Sequence, residues 1–252
     1  SVDPLRDAET IETELMLADL STVGKRLDAI SKKSKTTNPE LKPEAELMER
    51  LQSHLSDGKL ANQFKTGSKE ETEVVEQLGL LTSKPMIYAA NLKETQLQDA
   101  ITHLSKLKTA ADAKGYALLP IAAKFEQELN ALSEEERLMF MQETGIESGG
   151  LPRLITSCYE LLRLITFFTA GEKEVRAWTV REGTTAPRAA GKIHTDIEKG
   201  FVRAEIVGYA ELDAAGSYAK VREAGKMRVE GREYVMRNGD VCYFRFTQPS
   251  SA

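Results

Sequence analysis

Metal-binding and nucleophilic side chains are scarce in this chain: among 252 residues there are three histidines, His54, His103 and His194, and two cysteines, Cys158 and Cys242. The cysteines stand far apart with no Cys or His at metal-ligand spacing, which excludes a disulfide framework and a zinc centre and suits a reducing, cytoplasmic setting. So few histidines leave almost nothing from which to build a Ser-His-Asp arrangement. Long apolar runs are missing too. Ala117 to Ala123 falls far short of the roughly 20 residues of a bilayer-spanning helix, so no membrane is expected as a partner. The first residues carry Asp3 and Asp7 where a secretory signal would place basic residues and an apolar core. A phosphate-gripping loop is also lacking. Gly-Lys occurs at Gly24, Gly58, Gly191 and Gly225, but Arg, Leu, Ile and Met follow, so no hydroxyl is placed for Mg²⁺. The sequence thus offers no catalytic residue and no metal ligand set of its own.

What remains is a globular composition, 41% hydrophobic and 29% charged. From Thr166 onward 14 basic residues face 12 acidic ones, leaving 20 against 27 before it, so a net charge of −5 hides a mildly basic tail. Asp7 to Lys33 reads as a long helix, with Ile11, Leu15, Ala18, Leu20, Val23, Leu27 and Ile30 as its apolar stripe. A polar turn over Ser34 to Lys42, holding Asn38-Pro39, leads to a second helix, Pro43 to Leu55, with Leu47, Met48, Leu51 and Leu55 on one side. Two paired helices bury only a narrow seam, so an antiparallel arm projecting from a larger body is expected. Ser68 to Glu71 has the capping-box spacing that opens a third helix, ending near Gly79.

Beyond Pro85 the pattern changes. Met86 to Ala90 and Ala117 to Ala122 are short apolar runs on either side of a helical stretch, Thr95 to Lys114, stopped by Gly115. That is a βαβ unit of a parallel sheet. Ser133 to Glu136 is another capping box, for a helix ending at Thr144-Gly145, and Leu151 to Ile165 reads as one more amphipathic helix. Thr166 to Thr169, Val175 to Val180 and Phe201 to Val207 are strand-like, Thr185 opens a short helix to about Ile193, and Asn238-Gly239 between Tyr234–Met236 and Val241–Phe246 has the signature of a hairpin. The fold class is α/β plus α+β: a helical arm over 1–83, part of a parallel α/β domain over 84–165, and a β-grasp-like module over 166–252. Two strands are too few for a doubly wound sheet, so the α/β part reads as incomplete.

One motif lies where open α/β sheets bind ligands. Asn91-Leu92-Lys93-Glu94 follows the first strand at the carboxyl edge of the sheet. GTPase-class domains carry Asn-Lys-x-Asp there to read guanine. Here Leu92 and Glu94 replace the lysine and the aspartate, which weakens guanine readout. The same residues also admit a plainer role for Asn91 as cap of the following helix.

The blocks Asp7 to Leu20, Lys84-Pro-Met-Ile-Tyr-Ala-Ala-Asn91-Leu-Lys-Glu94, Phe167 to Thr179 and Thr185-Ala-Pro-Arg-Ala-Ala-Gly-Lys-Ile-His-Thr-Asp-Ile-Glu-Lys-Gly-Phe201 resemble the YchF family of Obg-like ATPases, in the translation-factor-related P-loop class. The resemblance runs from about residue 3 to Phe246. It implies a P-loop nucleotide domain with an inserted coiled-coil arm and a carboxyl-terminal TGS domain of β-grasp type. It further implies that the Walker A loop and Mg²⁺ residues precede the Asp3-Pro4 dipeptide, that ATP is preferred to GTP, and that Asn91, Leu92 and Glu94 form the base-binding motif. Pro120-Ile-Ala-Ala-Lys124 falls where related proteins have their last base-contacting loop, as a weak match.

Arg176, Arg181, Arg188, Lys192, Lys199 and Arg203 suggest a basic face for ribosomal RNA, while Glu172, Glu174, Glu182 and Glu198 among them are equally compatible with an ordinary solvated surface. His194 and Trp178 read as structural, the latter as core. Two functions compete: the carboxyl-side part of an ATP-hydrolysing, ribosome-associated protein, inactive alone, or a nucleotide-independent RNA- or protein-binding module.

Overall fold

Helix α1, Pro4–Ser34, opens where Asp3 accepts the backbone N–H of Leu5 (3.1 Å) and of Arg6 (3.3 Å), with proline at the first helical position. The computed structural model describes residues 2–34, 41–97, 99–136, 139, 149–171 and 174–247. The turn around Asn38-Pro39, the helix end at Thr144-Gly145 and Glu172 lie outside these residues. The chain divides into two compact units, Ser1–Ser157 and Cys158–Ala252. Among the described residues no helix is long and apolar enough to cross a membrane.

In the first unit α2, Lys42–Ser56, lays Leu47, Met48, Leu51 and Leu55 against Val23 and Ile30 of α1. The buried stripe of α1 is not the expected Ile11, Leu15 and Ala18; Ile11 is 55% exposed. The expected Leu20, Val23, Leu27 and Ile30 do pack in the core, and the stripe continues toward the amino end through Asp19, Met16 and Glu12, so two carboxylates share the helix's inner face with apolar residues. Nor is the helical pair bare. Ala61, Leu80, Phe64, Val74, Val75 and Leu78 pack on it, the last three from or beside α3, Lys69–Gln77. Ser68 caps α3 through Glu71 N–H (3.2 Å), but the Glu71 carboxylate turns to Gly67 N–H (2.7 Å) and Arg50 (2.5 Å) instead of closing the box.

Strands β1, Ile87–Asn91, and β2, Ala117–Ile121, pair in parallel with Asn91 opposite Ile121. The single connecting helix expected from Thr95 to Lys114 is broken: a 3-10 turn at Glu94–Gln96, α4 at Ala100–His103, and α5 at Ser105–Lys114. Leu104, at φ −106° and ψ 11°, steps out of the helical region between α4 and α5, and Ala100, Leu104, Leu107 and Ala111 are all buried. Helix α6 is Ala123–Asn130. The box at Ser133 is reciprocal: Ser133 N–H donates to Glu136 Oε2 (2.9 Å) and Glu136 N–H to Ser133 Oγ (3.3 Å).

The expected helix from Leu151 to Ile165 ends early. Helix α7 is Gly150–Leu161, Arg163 takes φ 52°, and Leu164 already belongs to β3, Leu164–Ala170. Pairing decides this: Leu164 to Ala170 runs antiparallel to β4, Val175–Arg181, burying Phe167 beside Trp178. Helices α8, Ala186–Ile193, and α9, Thr195–Lys199, precede β5, Phe201–Gly208. Then come α10, Tyr209–Ala215, α11, Tyr218–Glu223, β6, Arg228–Glu230, and β7, Asp240–Phe246. The sheet order is β4-β3-β7-β5-β6, with β3 and β7 parallel at its centre. Alanines 186, 189 and 190 of α8 cover one face over Phe167, Ala204, Ile206 and Phe244; Leu212 and Val221 of α10 and α11 cover part of the other over Val207 and Val241.

The expected hairpin at Asn238-Gly239 does not form. β7 pairs with β3 and β5, while Tyr234 to Met236 lies along Thr184 to Ala186 through Met236 N–H to Thr184 O (2.9 Å) and Ala186 N–H to Tyr234 O (2.8 Å). Asn238 and Gly239 instead grip Thr166: its N–H donates to Asn238 Oδ1 (2.9 Å) and its O accepts Gly239 N–H (2.8 Å), with Gly239 at φ 84°.

Candidate functional site

The carboxyl ends of β1 and β2 are sewn together at Asn91. Leu92 N–H donates to Ile121 O (2.8 Å), and Asn91 Oδ1 accepts the N–H of Ala123, the first residue of α6 (3.0 Å). Asn91 therefore tethers the helix after β2. It does not cap the segment that follows β1, whose 3-10 turn is held by Lys93 N–H on Gln96 Oε1 (3.1 Å). A cavity of about 770 Å³ opens beside this corner, with Ile11, Ile87, Leu92 and Leu107 among its apolar lining and Asn91, Gln96, His103, Asp7 and Glu12 among its polar lining. Such a mixture suits a flat, weakly polar ring. Glu94 is exposed and takes no part in the lining, so the structure joins two of the three expected base contacts.

Three neighbours join the corner, of which sequence reasoning missed Gln96 and Glu12 and gave the Ala122-Ala123 stretch only as part of the weak match over Pro120 to Lys124. The Ala122-Ala123 backbone enters through the tether, Gln96 through the 3-10 turn, and Glu12 through a buried cluster in which it accepts Tyr88 OH (2.5 Å) and Lys114 Nζ (2.6 Å). Burial, then the bond to Glu12, pushes the Tyr88 phenol above its ordinary value, so it stays a neutral donor. The signal for Glu12 was its phase with Asp19, Val23 and Ile30. Among the described residues no group of three or more His, Cys, Asp or Glu is placed to hold a metal ion.

In the second unit the expected basic residues do not share one face. Arg188 and Lys192 are exposed on α8 and Lys199 is exposed on α9. Arg176 lies over the Trp178 ring at 4.4 Å, and Trp178 packs against the core as expected. By strand alternation Arg181 and Arg203 lie on the sheet face away from α8, where Arg203 stands opposite Arg245. His194 Nδ1 accepts Asp196 N–H (3.2 Å), a cap for α9.

Comparison with known proteins follows the same division. The family model YchF-GTPase_C, described as a protein of unknown function (DUF933), matches residues 164–247. The "Ribosome-binding ATPase YchF" of Bacillus subtilis is 44% identical over 247 residues, which covers 97% of this chain and 67% of that protein. The chain belongs to the YchF family. The "Obg-like ATPase 1" of Rattus norvegicus is 40% identical over 257 residues, 100% of this chain and 65% of its own. A solved YchF GTPase from Schizosaccharomyces pombe superposes with a TM-score of 0.78 at 36% identity, covering 97% of this chain and 67% of that one. A GTP-binding protein of Pyrococcus horikoshii, 19% identical with a TM-score of 0.59, shares the fold. The chain thus spans about two thirds of the length of its YchF relatives.

Proposed function

We propose that this chain is the carboxyl-side part of an ATP-hydrolysing YchF protein that associates with ribosomes in the cytoplasm. In this reading the first unit supplies the edge that reads adenine. The observation that carries it is the fixed carboxamide of Asn91. With Oδ1 committed to Ala123 N–H, its Nδ2 hydrogens are aimed from a known position, and a purine ring nitrogen is a suitable acceptor. Leu92 would offer its flat apolar surroundings to the ring, and Glu94 a carboxylate at the rim. Two relatives are named as ATPases, and the S. pombe and P. horikoshii structures as GTPase and GTP-binding. Phosphate gripping and any Mg²⁺ chemistry would come from residues other than these, since this sequence has no Walker A motif; the 252 residues alone are expected not to turn over ATP. The second unit would be the TGS domain, a reading supported by its β-grasp strand order with parallel central strands, and α1 with α2 the root of the coiled-coil arm.

The test is adenosine titration of ¹⁵N-labelled chain. Leu92, Ala122 and Ala123 amides are expected to shift, guanosine shifting them less. Asn91→Asp keeps the acceptor for Ala123 and loses the donor, so it should fold normally and bind adenosine at least tenfold more weakly. If Asn91→Asp binds adenosine as the wild type does, base recognition by Asn91 is wrong. If no amide at this edge moves at millimolar adenosine, the alternative of a nucleotide-independent binding module takes its place.

A further inference from the structure

The second unit holds a cavity of about 640 Å³ on the sheet face away from α8, bordered by α11. Its polar wall is built around one carboxylate. Glu205 of β5, 11% exposed at its side chain, stands directly opposite Tyr243 of β7. Each carboxylate oxygen accepts from a different guanidinium: Oε1 from Arg245 Nε (3.0 Å) and Oε2 from Arg222 Nη2 (2.9 Å). The bond from Arg245 holds the Glu205 carboxyl below its usual range, so the anchor stays ionised. Arg245 also lies over the Tyr243 ring, its guanidinium carbon 4.4 Å from the ring centre. Both arginines keep further N–H groups, and their side chains remain 46% and 57% exposed.

A purely structural reading leaves one feature unexplained. Arg203 stands directly opposite Arg245 on the same sheet face, and like charges across a strand pair are destabilising. Two arginines on one glutamate, with Arg203 opposite one of them, leave a local surplus of positive charge. An anion there would offset it, and the Arg245–Tyr243 stack beside it presents a cationic surface on which a base can lie.

We propose that this pocket binds one nucleotide of single-stranded RNA, its base against the Arg245–Tyr243 stack and its phosphate on Arg222. The inference deepens the ribosome reading and rests on it for the class of partner. Its chemistry, one base and one phosphate, is shared by a free nucleotide and by a strand.

The experiment uses the full chain and a 5′-phosphorylated, fluorescein-labelled hexaribonucleotide, followed by anisotropy at 50 and 200 mM salt. Arg245→Gln and Tyr243→Leu are expected to weaken binding at least tenfold and Arg222→Gln several-fold, the Arg222 change lowering the salt slope by about 0.7. Arg188→Gln and Lys192→Gln, on α8, should bind as the wild type does. AMP should displace the strand, and the ratio of the two affinities tells which source the pocket favours. Tyr243 is 49% exposed, so Tyr243→Leu keeps the test alive if Arg245→Gln fails to fold. No binding at 50 mM salt, or wild-type binding by Tyr243→Leu, overturns the proposal. An oligoglutamate peptide that competes as well as RNA overturns it in favour of an acidic protein partner. Ribosome co-sedimentation that persists in Tyr243→Leu alongside failed hexamer binding by the wild type discards the pocket and leaves the ribosome reading standing.

Discussion

Replacing Asp19 by alanine should strongly destabilise the first unit. Asp19 lies mid-way along α1, 1% exposed. Its Oδ1 accepts Leu81 N–H (2.6 Å), and its Oδ2 accepts Thr82 N–H (2.8 Å) and Thr82 Oγ1 (2.7 Å). Thr82 Oγ1 in turn accepts Ala61 N–H (2.9 Å), so one carboxylate fixes both ends of the segment that covers the helical pair. Hydrogen bonds to a charged acceptor are worth about 1.5–3 kcal/mol each, and a buried N–H left alone costs about 1–3 kcal/mol. The Thr82 hydroxyl can rotate, so two orphaned N–H groups dominate, and a loss of about 3–5 kcal/mol is expected. Asp19→Asn retains one acceptor and should lose roughly half as much. Urea unfolding separates the units: far-UV circular dichroism follows the helical first unit, while the single tryptophan, Trp178, reports the second. With a slope of about 2 kcal/mol per molar, the dichroism midpoint of Asp19→Ala should fall by about 2 M while the fluorescence midpoint stays nearly still. A dichroism shift below about 0.3 M would refute the reasoning, since it would mean the buried carboxylate contributes no more than the alanine replacing it.

Gly200→Ala should destabilise the second unit by about 2–3 kcal/mol, because a Cβ there would run into the backbone carbonyl of Thr247, which cannot swing aside; a Trp178 unfolding midpoint equal to the wild type's contradicts this. Tyr88 gives a pH dependence. Burial and its bond to Glu12 raise the phenol above its ordinary 10.0, so its contribution is intact below pH 10 and is lost as pH rises from there toward the folded value. Stability by dichroism at pH 8 and pH 10.5 should therefore diverge less in Tyr88→Phe than in the wild type, and an equal divergence would remove Tyr88 from the cause.

Much of the architecture was legible because periodicity survives wherever apolar residues alone do the packing. α2 shows this with Leu47, Met48, Leu51 and Leu55, and α8 with its proline start and alanine face. Two misreadings share one cause, competition from partners distant in sequence. Ile165 fits a helix continuing from Leu151 until Val180 claims it as a strand partner. Asn238-Gly239 carries a hairpin signal, yet the central place beside β3 and β5 takes β7 away from Tyr234–Met236. At the candidate site, spacing placed Asn91 at the sheet edge, but only the parallel register, Asn91 opposite Ile121, puts its carboxamide within reach of Ala123. The first half of the inner stripe of α1 was misassigned for a different reason: Glu12 and Asp19 occupy it, and a reading that counts only apolar residues slips to Ile11 and Ala18.

Those polar residues divide by what their partners have left to give. Asp19 is enclosed by backbone N–H groups and one hydroxyl, each fully used. Asp240, 3% exposed, accepts Tyr234 OH (2.9 Å), Arg237 N–H (2.9 Å) and Arg228 Nη2 (3.2 Å), closing a similar circle around the start of β7. These anchors specify the fold and present little to a ligand. Asn91 and Glu205 differ. The amide nitrogen of Asn91 and the outward N–H groups of Arg222 and Arg245 are held in place by a bond at their other end, each beside a cavity. A donor that is fixed but not consumed binds without first being ordered, which is the condition under which a few polar groups can discriminate a ligand. The same criterion ranks Arg188, Lys192 and Lys199 lower: they carry the charge that RNA attracts, but among the described residues no hydrogen bond or ion pair orients them.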